Sequence, residues 1–205
     1  MESQMNKLLI ATNNPGKVEE LQDLLKDANI TLVTPAQIGL DLDVIEDGRS
    51  YAQNATKKAV AFAQASNLIS LADDSGLEVE ALDGAPGLYS ARYGSREGSK
   101  LSNAGRRKYL LSQLQDKPRP WKARFHATIA IATPDNQIHL TDGFCEGEII
   151  PDERGAGGFG YDPIFLLPEL GKTMAELSMD EKNRLSHRAR AVMKAKGTLK
   201  ELFFK

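Results

Sequence analysis

Short apolar runs alternate with helical patterns along residues 8–72, and this alternation restricts the chain to few folds. Residues 8–10 are typical of a short strand, and apolar residues at helical spacing from Val18 to Ala28 predict a helix after it. The other elements expected in this part are strands at 31–33 and 68–72 and a helix at 50–65. Strands that alternate with helices favour an α/β architecture.

The second half of the chain predicts more strands and a helical end. Residues 124–133 resemble a long strand, and the last part has helical spacing, with Ala189, Val192 and Met193 on one face. The other predicted elements are a helix at 101–114 and two short strands at 138–140 and 144–150. We therefore expect a single α/β domain over residues 1–205, built on a mixed β-sheet.

Charge and cysteine content limit the classes of function. Charged residues make up 26% of the chain and the formal net charge is −2, so the basic face on which nucleic-acid binding depends is not expected. The one cysteine, Cys145, is expected to be a buried apolar residue. The apolar run near the amino terminus is too short for a signal peptide or a membrane span. These features predict a cytoplasmic protein with no nucleic-acid or membrane partner. The scattered histidines, His126, His139 and His187, lack the spacing of a zinc site.

The stretch GAGGFGYDP at 155–163 contains a literal G-x-G-x-x-G. A dinucleotide fingerprint needs a strand before the glycines and a helix directly after them, where backbone amides meet the pyrophosphate. Pro163 follows the last glycine too closely for a helix to begin there. We therefore expect no dinucleotide cofactor. The aromatic residues Phe159 and Tyr161 suggest instead a backbone that approaches a flat ligand while a ring stacks on it.

Paired carboxylates follow the strand predicted at 68–72. Asp73 and Asp74 are expected at its carboxyl end, where α/β proteins bind ligands. They could cap a turn or hold Mg²⁺, which prefers carboxylate oxygen. Glu46, in a second acidic turn before a helix, could supply another metal ligand or simply favour the helix start. The residues alone leave these alternatives open.

Cations and amides occur in three further places. The segment TNNPGK at 12–17 is not a Walker A loop, but its polar turn and its lysine at a helix start suit an anion, or else form an ordinary capped turn. Asn54 and Lys58 are four residues apart and share a helix face. Near the carboxyl terminus, Lys182, His187 and Arg188 lie close to a helix start, where a charged helix surface is the simpler explanation.

Five ordered blocks resemble the inosine/xanthosine triphosphate pyrophosphatases. They are TNNPGK, EDGRSYAQNA..KA, ADDSGLEVEALDGAPGLYSARY, GGFGYDPIF and EKNRLSHR, and the resemblance runs from residue 8 to about residue 190. It implies an elongated mixed sheet flanked by helices, in two lobes with the active cleft between them, and a homodimer. It also implies Mg²⁺-dependent hydrolysis of ITP, dITP and XTP to the monophosphate and pyrophosphate, which keeps deaminated bases out of DNA and RNA.

The resemblance also implies roles for individual residues. Asp74 would be a metal ligand and the proton acceptor, and Glu46 a second metal ligand. Asp73 is a further candidate beside Asp74, and Lys58 would face the phosphates of the substrate. The positions implied to bind substrate are Thr12, Asn13, Asn14, Pro15, Gly16, Lys17, Ser75, Phe159, Gly160, Tyr161, Asp162, Lys182, His187 and Arg188. Residues 12–17 would contact the triphosphate, residues 159–162 the nucleoside, and the last two positions the base.

Two rival functions stay open from the sequence. One is a pyrophosphatase of related fold that acts on other modified nucleotides, including pyrimidines. The other is a non-catalytic module that senses nucleotides. Metal-dependent release of pyrophosphate from a panel of nucleotides separates all three.

Overall fold

The computed structural model describes residues 6–96 and 99–204. Within them, seven strands form one sheet with the order β2-β1-β3-β4-β5-β6-β7. The strands are β1 (Lys7–Ile10), β2 (Thr31–Val33), β3 (Ile69–Val79), β4 (Trp121–Ala132), β5 (Ile138–Ile149), β6 (Phe165–Leu167) and β7 (Lys172–Thr173). β1 is parallel to β2 and β3, whereas β6 is antiparallel to β5 and β7. The predicted α/β class with a mixed sheet is confirmed.

The described residues form five α-helices, and each of the first four begins where a short polar side chain accepts a hydrogen bond from a backbone amide. They are α1 (Pro15–Leu25), α2 (Tyr51–Ser66), α3 (Asn103–Leu114), α4 (Met179–Leu185) and α5 (His187–Phe203). Asn14 caps α1 by accepting from the backbone nitrogen of Lys17, and Ser50 caps α2 in the same way. Ser178 and Glu181 form a capping box at the start of α4. None of the described helices is both long and apolar enough to cross a membrane.

Two of the predicted strand boundaries are wrong. β3 does not end before the aspartates but continues through Asp73 and Asp74 to Val79, which is fully buried. Aspartate is rare in strands, so the polar pair resembles a strand end in the sequence. The two short strands predicted at 138–140 and 144–150 are one strand, β5. A Cβ atom at Gly143 would overlap the backbone of α5, so this glycine permits a close approach rather than a turn.

The chain divides into two compact units, each with its own core. The described residues of unit 1 are 6–74, 127–143 and 187–204. Side chains of β1 alternate between two apolar clusters: Leu8 and Ile10 pack with α1 and α5, and Leu9 packs with α2. Met193 does not share the buried face predicted for it, because Ala195 and Leu199 continue that face and leave Met193 60% exposed.

Unit 2 comprises the described residues of 75–126 and 144–186. Its core joins apolar residues of α3, among them Leu110 and Leu114, to β4 and to Phe165 of β6. Cys145 is buried in this core, as predicted. The predicted site residues are therefore divided between the two units.

Candidate active site

The segment 12–17 connects β1 to α1 and presents the amino-terminal end of the helix. Its backbone turns because the nitrogen of Asn14 donates to Oγ1 of Thr12 over 3.2 Å, and the side chain of Asn14 then accepts from the nitrogen of Lys17 over 3.2 Å. Asn13, Asn14 and Pro15 are exposed. An exposed helix start followed by a lysine favours a bound anion, as the sequence suggested.

Asp73 is the centre of a buried ion-pair network in unit 1. Its carboxylate lies 2.9 Å from Nζ of Lys17 and accepts from Nε and Nη2 of Arg188 over 3.1 and 3.0 Å. Arg188 also forms an ion pair with Glu20 of α1. Burial alone would raise the pKa of Asp73, but Arg188 and Lys17 outweigh it and hold that pKa far below its ordinary value. Asp73 is therefore ionised, and its Oδ2 is bound by both cations.

Asp74 lies in a second cluster of unit 1, around Lys58. Nζ of Lys58 donates to Oε1 of Glu46 over 2.7 Å and to the backbone oxygen of Asp73 over 2.8 Å, and it lies 3.5 Å from Oδ1 of Asp74. α2 directs Lys58 toward β3, while Glu46 comes from the segment before that helix. Two carboxylates from different parts of the chain thus flank one ammonium nitrogen.

The electrostatics of this cluster suit proton transfer. Burial raises the pKa of Asp74, and Lys58 and Lys17 only partly oppose that rise. Burial would lower the pKa of Lys58, but Asp74 and Glu46 outweigh it, so the pKa is raised and the ammonium stays charged. A carboxylate with a raised pKa in a partly desolvated site is a better proton acceptor than an ordinary aspartate.

Asn54 of α2 binds the backbone two residues after Glu46. Its Oδ1 accepts from the backbone nitrogen of Gly48 over 2.8 Å. The sequence placed Asn54 and Lys58 on one helix face, and the structure buries both side chains. Nothing in the sequence showed that the partner of Asn54 is a backbone amide.

The charged cluster fits a magnesium ion. Among the described residues, no group of three or more His, Cys, Asp or Glu side chains could hold a metal on its own. Mg²⁺ does not need such a cage, because it is commonly bound by one or two carboxylates together with water and substrate phosphates. Glu46 and Asp74, both beside Lys58, provide that minimal donor set.

In unit 2, the residues predicted to line the nucleoside site form a second cluster. Oδ2 of Asp162 accepts from the backbone nitrogen of Phe159 over 3.0 Å and from Nζ of Lys182 over 2.7 Å. The same Nζ lies 5.4 Å from the centroid of the Phe159 ring. Lys182 therefore connects the carboxylate to the aromatic face, a cation–π arrangement.

The glycine loop, defined here as residues 155–160, packs mainly on protein. Gly155 has φ +80°, and a Cβ there would come within 2.5 Å of the backbone of Ala175. Gly157 donates to the carbonyl oxygen of Ala175 over 3.1 Å. Gly160 has φ +63° and open space around it. Gly155 and Gly157 are therefore explained by the close approach of the Ala175 backbone rather than by a ligand.

Arg107 of α3 holds the end of the glycine loop. Its Nη1 donates to the carbonyl oxygen of Gly160 over 2.9 Å, while Nε and Nη2 donate to both carboxylate oxygens of Glu153. No sequence signal pointed to Arg107, because its target is a backbone carbonyl. Glu20 was also not predicted, although it is a charged residue on the apolar side of α1, beside Leu21 and Leu24.

The remaining predicted residues lie in several environments. Tyr161 belongs to the core of unit 2, and its hydroxyl donates to the carbonyl oxygen of Ser90 over 3.0 Å. Phe159 is half-buried, so it is the more accessible of the two aromatic residues. His187 and Arg188 begin α5 and are 6% and 1% exposed. Ser75 follows Asp74 in β3 and is half-buried.

The structure thus gathers the predicted residues into two sets. The set in unit 1 contains Thr12, Asn13, Asn14, Pro15, Gly16, Lys17, Glu46, Lys58, Asp73, Asp74, His187 and Arg188. The set in unit 2 contains Ser75, Phe159, Gly160, Tyr161, Asp162 and Lys182. Their individual roles toward a substrate stay predictions.

Comparison with known proteins shows which family the chain resembles over nearly its whole length. The model of the Ham1 family matches residues 8–198. A dITP/XTP pyrophosphatase of Desulforamulus reducens is 47% identical, over 96% of this chain and 97% of that protein. A dITP/XTP pyrophosphatase of Thermus thermophilus is 46% identical, over 91% of this chain and 88% of that protein.

Solved structures show the same fold. A HAM1 protein from Coxiella burnetii superposes with a TM-score of 0.85 at 36% identity, over 96% of this chain and all of that one. The Ham1 protein of Staphylococcus aureus superposes with a TM-score of 0.81 at 37% identity, over 95% of this chain and 98% of that one.

Proposed function

Because the chain belongs to the Ham1 family, we propose that it is a nucleoside-triphosphate pyrophosphatase acting on dITP, ITP and XTP. The products would be the nucleoside monophosphate and pyrophosphate. The observation that carries the proposal is the pair of carboxylates, Glu46 and Asp74, gathered around the ammonium of Lys58. The activity for which its relatives are named supports the substrate class.

In this proposal Glu46 and Asp74 hold Mg²⁺. When bound, Mg²⁺ would polarise phosphate oxygens and lower the pKa of a water molecule. Asp74 would accept the proton of the attacking water at its carboxylate, for which its raised pKa suits it. Lys17 at the start of α1, together with Lys182, would offset the charge that develops on the departing pyrophosphate.

The nucleoside end of the substrate is assigned to the glycine loop. The half-buried ring of Phe159 would stack on the purine. The backbone nitrogen of Phe159 donates to the carboxylate of Asp162, which also binds Lys182. Hydrogen-bond donors that face O6 would select 6-oxo purines, because the amino group of adenine would place donor against donor. His187 and Arg188 stay the predicted donors.

The cellular role that follows is removal of deaminated purine nucleotides before polymerases use them. The proposal includes the homodimer and the cytoplasmic location that the resemblance implied. Light scattering of the purified protein checks the first, and fractionation of the source cells checks the second.

Pyrophosphate release from dITP, ITP, XTP, GTP, ATP and dUTP, each with and without Mg²⁺, tests the function. We expect pyrophosphate release from dITP, ITP and XTP alone, and only when Mg²⁺ is present. A preference for dUTP would favour the alternative of other modified nucleotides. Binding without any release would favour a nucleotide-sensing module, and either result would contradict the proposal.

Replacing Asp74 by asparagine tests its role as metal ligand and proton acceptor. We expect the Asp74→Asn variant to fold normally and to lose about 10²–10⁴-fold in kcat, because the amide accepts no proton and binds Mg²⁺ weakly. Pyrophosphate release and circular dichroism, measured on one preparation, separate loss of chemistry from loss of fold. Near-normal turnover would refute the assignment.

A further inference from the structure

We propose that Arg107 of α3 is a positioning residue of the nucleoside site, which holds the glycine loop from both ends and thereby sets the affinity for the purine. The inference rests on the nucleoside site of the proposed function, since it takes Phe159 as the residue that stacks on the base. Arg107 itself touches no substrate in this scheme. It acts through the backbone of the loop.

The guanidinium of Arg107 binds one residue at each end of the loop. Nε and Nη2 donate to Oε1 and Oε2 of Glu153 over 2.9 and 2.7 Å, and Nη1 donates to the carbonyl oxygen of Gly160 over 2.9 Å. Glu153 lies just before the loop, and Gly160 is its last residue. Two parallel bonds to one carboxylate fix the plane of a guanidinium, so they also fix the direction of Nη1. One planar group therefore joins the two ends.

The support for Arg107 is a helix packed on the core of unit 2. Leu110 and Leu114 of α3 are fully buried in that core, and Arg107 lies one turn before Leu110. The side chain of Arg107 is 12% exposed. Its hydrogen bond lowers the pKa of Glu153, so that carboxylate is ionised at neutral pH and keeps both bonds. Arg107 thus extends from a firmly packed element.

The last part of the glycine loop depends on such a contact. Gly155 and Gly157 approach the backbone of Ala175, but Gly160 has φ +63° and no described atom within 4 Å of a Cβ built there. Packing around its α-carbon therefore does not fix this residue. The hydrogen bond from Arg107 to the Gly160 carbonyl holds it instead.

The position of Gly160 is transmitted to Phe159 through a closed turn. The backbone nitrogen of Asp162 donates to the carbonyl oxygen of Phe159 over 3.2 Å, and the backbone nitrogen of Phe159 donates to Oδ2 of Asp162 over 3.0 Å. Gly160 lies inside this turn, directly after Phe159. A displacement of the Gly160 carbonyl therefore moves the aromatic ring that would stack on the purine.

An ion pair alone does not account for this arrangement. The side chain of Glu153 is 41% exposed, and ion pairs with exposed carboxylates contribute little to stability. Two of the nitrogen atoms of Arg107 suffice for such a pair. The third binds a backbone carbonyl at the far end of the loop. A lysine has a single nitrogen atom and cannot reproduce this fork.

The test compares the binding of inosine monophosphate (IMP) and ribose 5-phosphate by isothermal titration calorimetry, because these ligands differ by the base alone. We expect Arg107→Lys to raise Kd for IMP by about 10-fold, within the range that base–aromatic stacking contributes, and to leave Kd for ribose 5-phosphate within about 2-fold of wild type. Kinetics should agree, with KM for dITP raised more than kcat is lowered.

Arg106→Lys is the matched control. Arg106 precedes Arg107 on the same helix, but its Nη1 donates to the carbonyl oxygen of Leu101 over 2.9 Å and its Nη2 donates to Asn103. Both partners lie near the start of α3, outside the glycine loop. We expect Kd of Arg106→Lys for IMP to equal that of wild type.

A purely structural role of Arg107 predicts a different result. It would lower Tm and leave the ratio of the two Kd values unchanged. A role confined to the ion pair predicts that Arg107→Lys binds IMP as tightly as wild type, because the charge opposite Glu153 is kept. Glu153→Ala provides a second variant should Arg107→Lys fold poorly. It removes the carboxylate that orients the guanidinium, so we expect Kd for IMP to rise in the same direction.

The outcomes separate this inference from the proposed function. A wild-type protein that releases no pyrophosphate from dITP, ITP and XTP would overturn the function, while the binding comparison still decides the inference. A wild-type protein that binds IMP no more tightly than ribose 5-phosphate would overturn the inference. An unchanged ratio of the two Kd values in Arg107→Lys and Glu153→Ala would do the same. A rise in Kd confined to IMP supports it.

Discussion

At the residue scale, Nζ of Lys58 occupies the space beside both carboxylates proposed to hold Mg²⁺, 2.7 Å from Glu46 and 3.5 Å from Asp74. A cation there offsets the repulsion between two carboxylates of like charge. The family resemblance implied that this lysine faces the phosphates of the substrate. Lys58 also has a role before substrate binds, because its ammonium group keeps the two carboxylates near each other.

A second charged residue allows a test that depends on pH. The hydrogen bond from Lys172, followed by bonds from Ser178, lowers the pKa of Glu181 from 4.5 to about 2. A lowered pKa means that ionised Glu181 stabilises the fold above pH 4.5, and that this contribution is lost as the pH falls toward 2.

We therefore expect the free energy of unfolding of Glu181→Gln to depend less on pH than that of wild type between pH 4.5 and 2. Glutamine preserves the capping box at the start of α4, so the effect isolates the charge. Urea titrations at a series of pH values provide the measurement. Lys172→Met should shift the same way, because it removes the largest cause of the lowered pKa. Equal slopes in all three proteins would contradict this account.

At the scale of elements, the glycine loop connects backbone conformation to the proposed nucleoside site. Gly158 has φ +68°, and a Cβ there would overlap the carboxylate of Asp162. That carboxylate holds both the backbone of Phe159 and the ammonium of Lys182. A methyl group at Gly158 would therefore disturb three groups at once.

We expect Gly158→Ala to lose up to about 10²-fold in kcat/KM, since small displacements of positioning groups have effects of that size. The control is Gly171→Ala. Gly171 has φ +63° with no atom within 4 Å of a built Cβ, so its variant carries the backbone strain of about 1–2 kcal/mol without the overlap. Kinetics on dITP and thermal melts of both variants provide the comparison. Similar kcat/KM in the two would refute the role of the overlap.

At the scale of the whole molecule, charge pairs join distant parts of the chain within unit 1. Arg188 at the start of α5 binds Asp73 of β3 and Glu20 of α1, and all three are buried. Removing one partner of a buried ion pair leaves an uncompensated charge, at a cost of about 3–5 kcal/mol. The network therefore stabilises the unit that carries the proposed metal ligands.

We expect Arg188→Met to lower the free energy of unfolding by about 3–5 kcal/mol, because Asp73 and Glu20 would remain buried without their shared partner. Arg190→Met on the same helix is the control. Arg190 is exposed, and a change there should stay within about 0.5 kcal/mol. Urea unfolding monitored by circular dichroism measures both. A loss below about 1 kcal/mol for Arg188→Met would show that the network adds little stability.

The sequence predicted the elements whose signals are local. β2 has the predicted bounds, and α2 and α3 begin within two residues of their predicted starts. These signals are readable because periodicity and capping depend on residues that are close in sequence. It could not predict that β3 continues through Asp73, since the partners that permit a buried carboxylate there come from elsewhere in the chain. The roles of Arg107 and Asn54 were also hidden, because both bind backbone groups.

The pairing of Asp73 with Arg188 spans 115 residues of sequence. A ribosome therefore releases Asp73 and Lys17 long before Arg188 exists, and during that interval the carboxylate in β3 lacks one of the two cations that bind it. Unit 1 can complete its charge balance only after α5 has emerged. A truncated mRNA that ends before α5 would yield a chain that cannot complete unit 1, which contains Glu46 and Asp74. Protein quality control would then encounter this chain in an unfolded state.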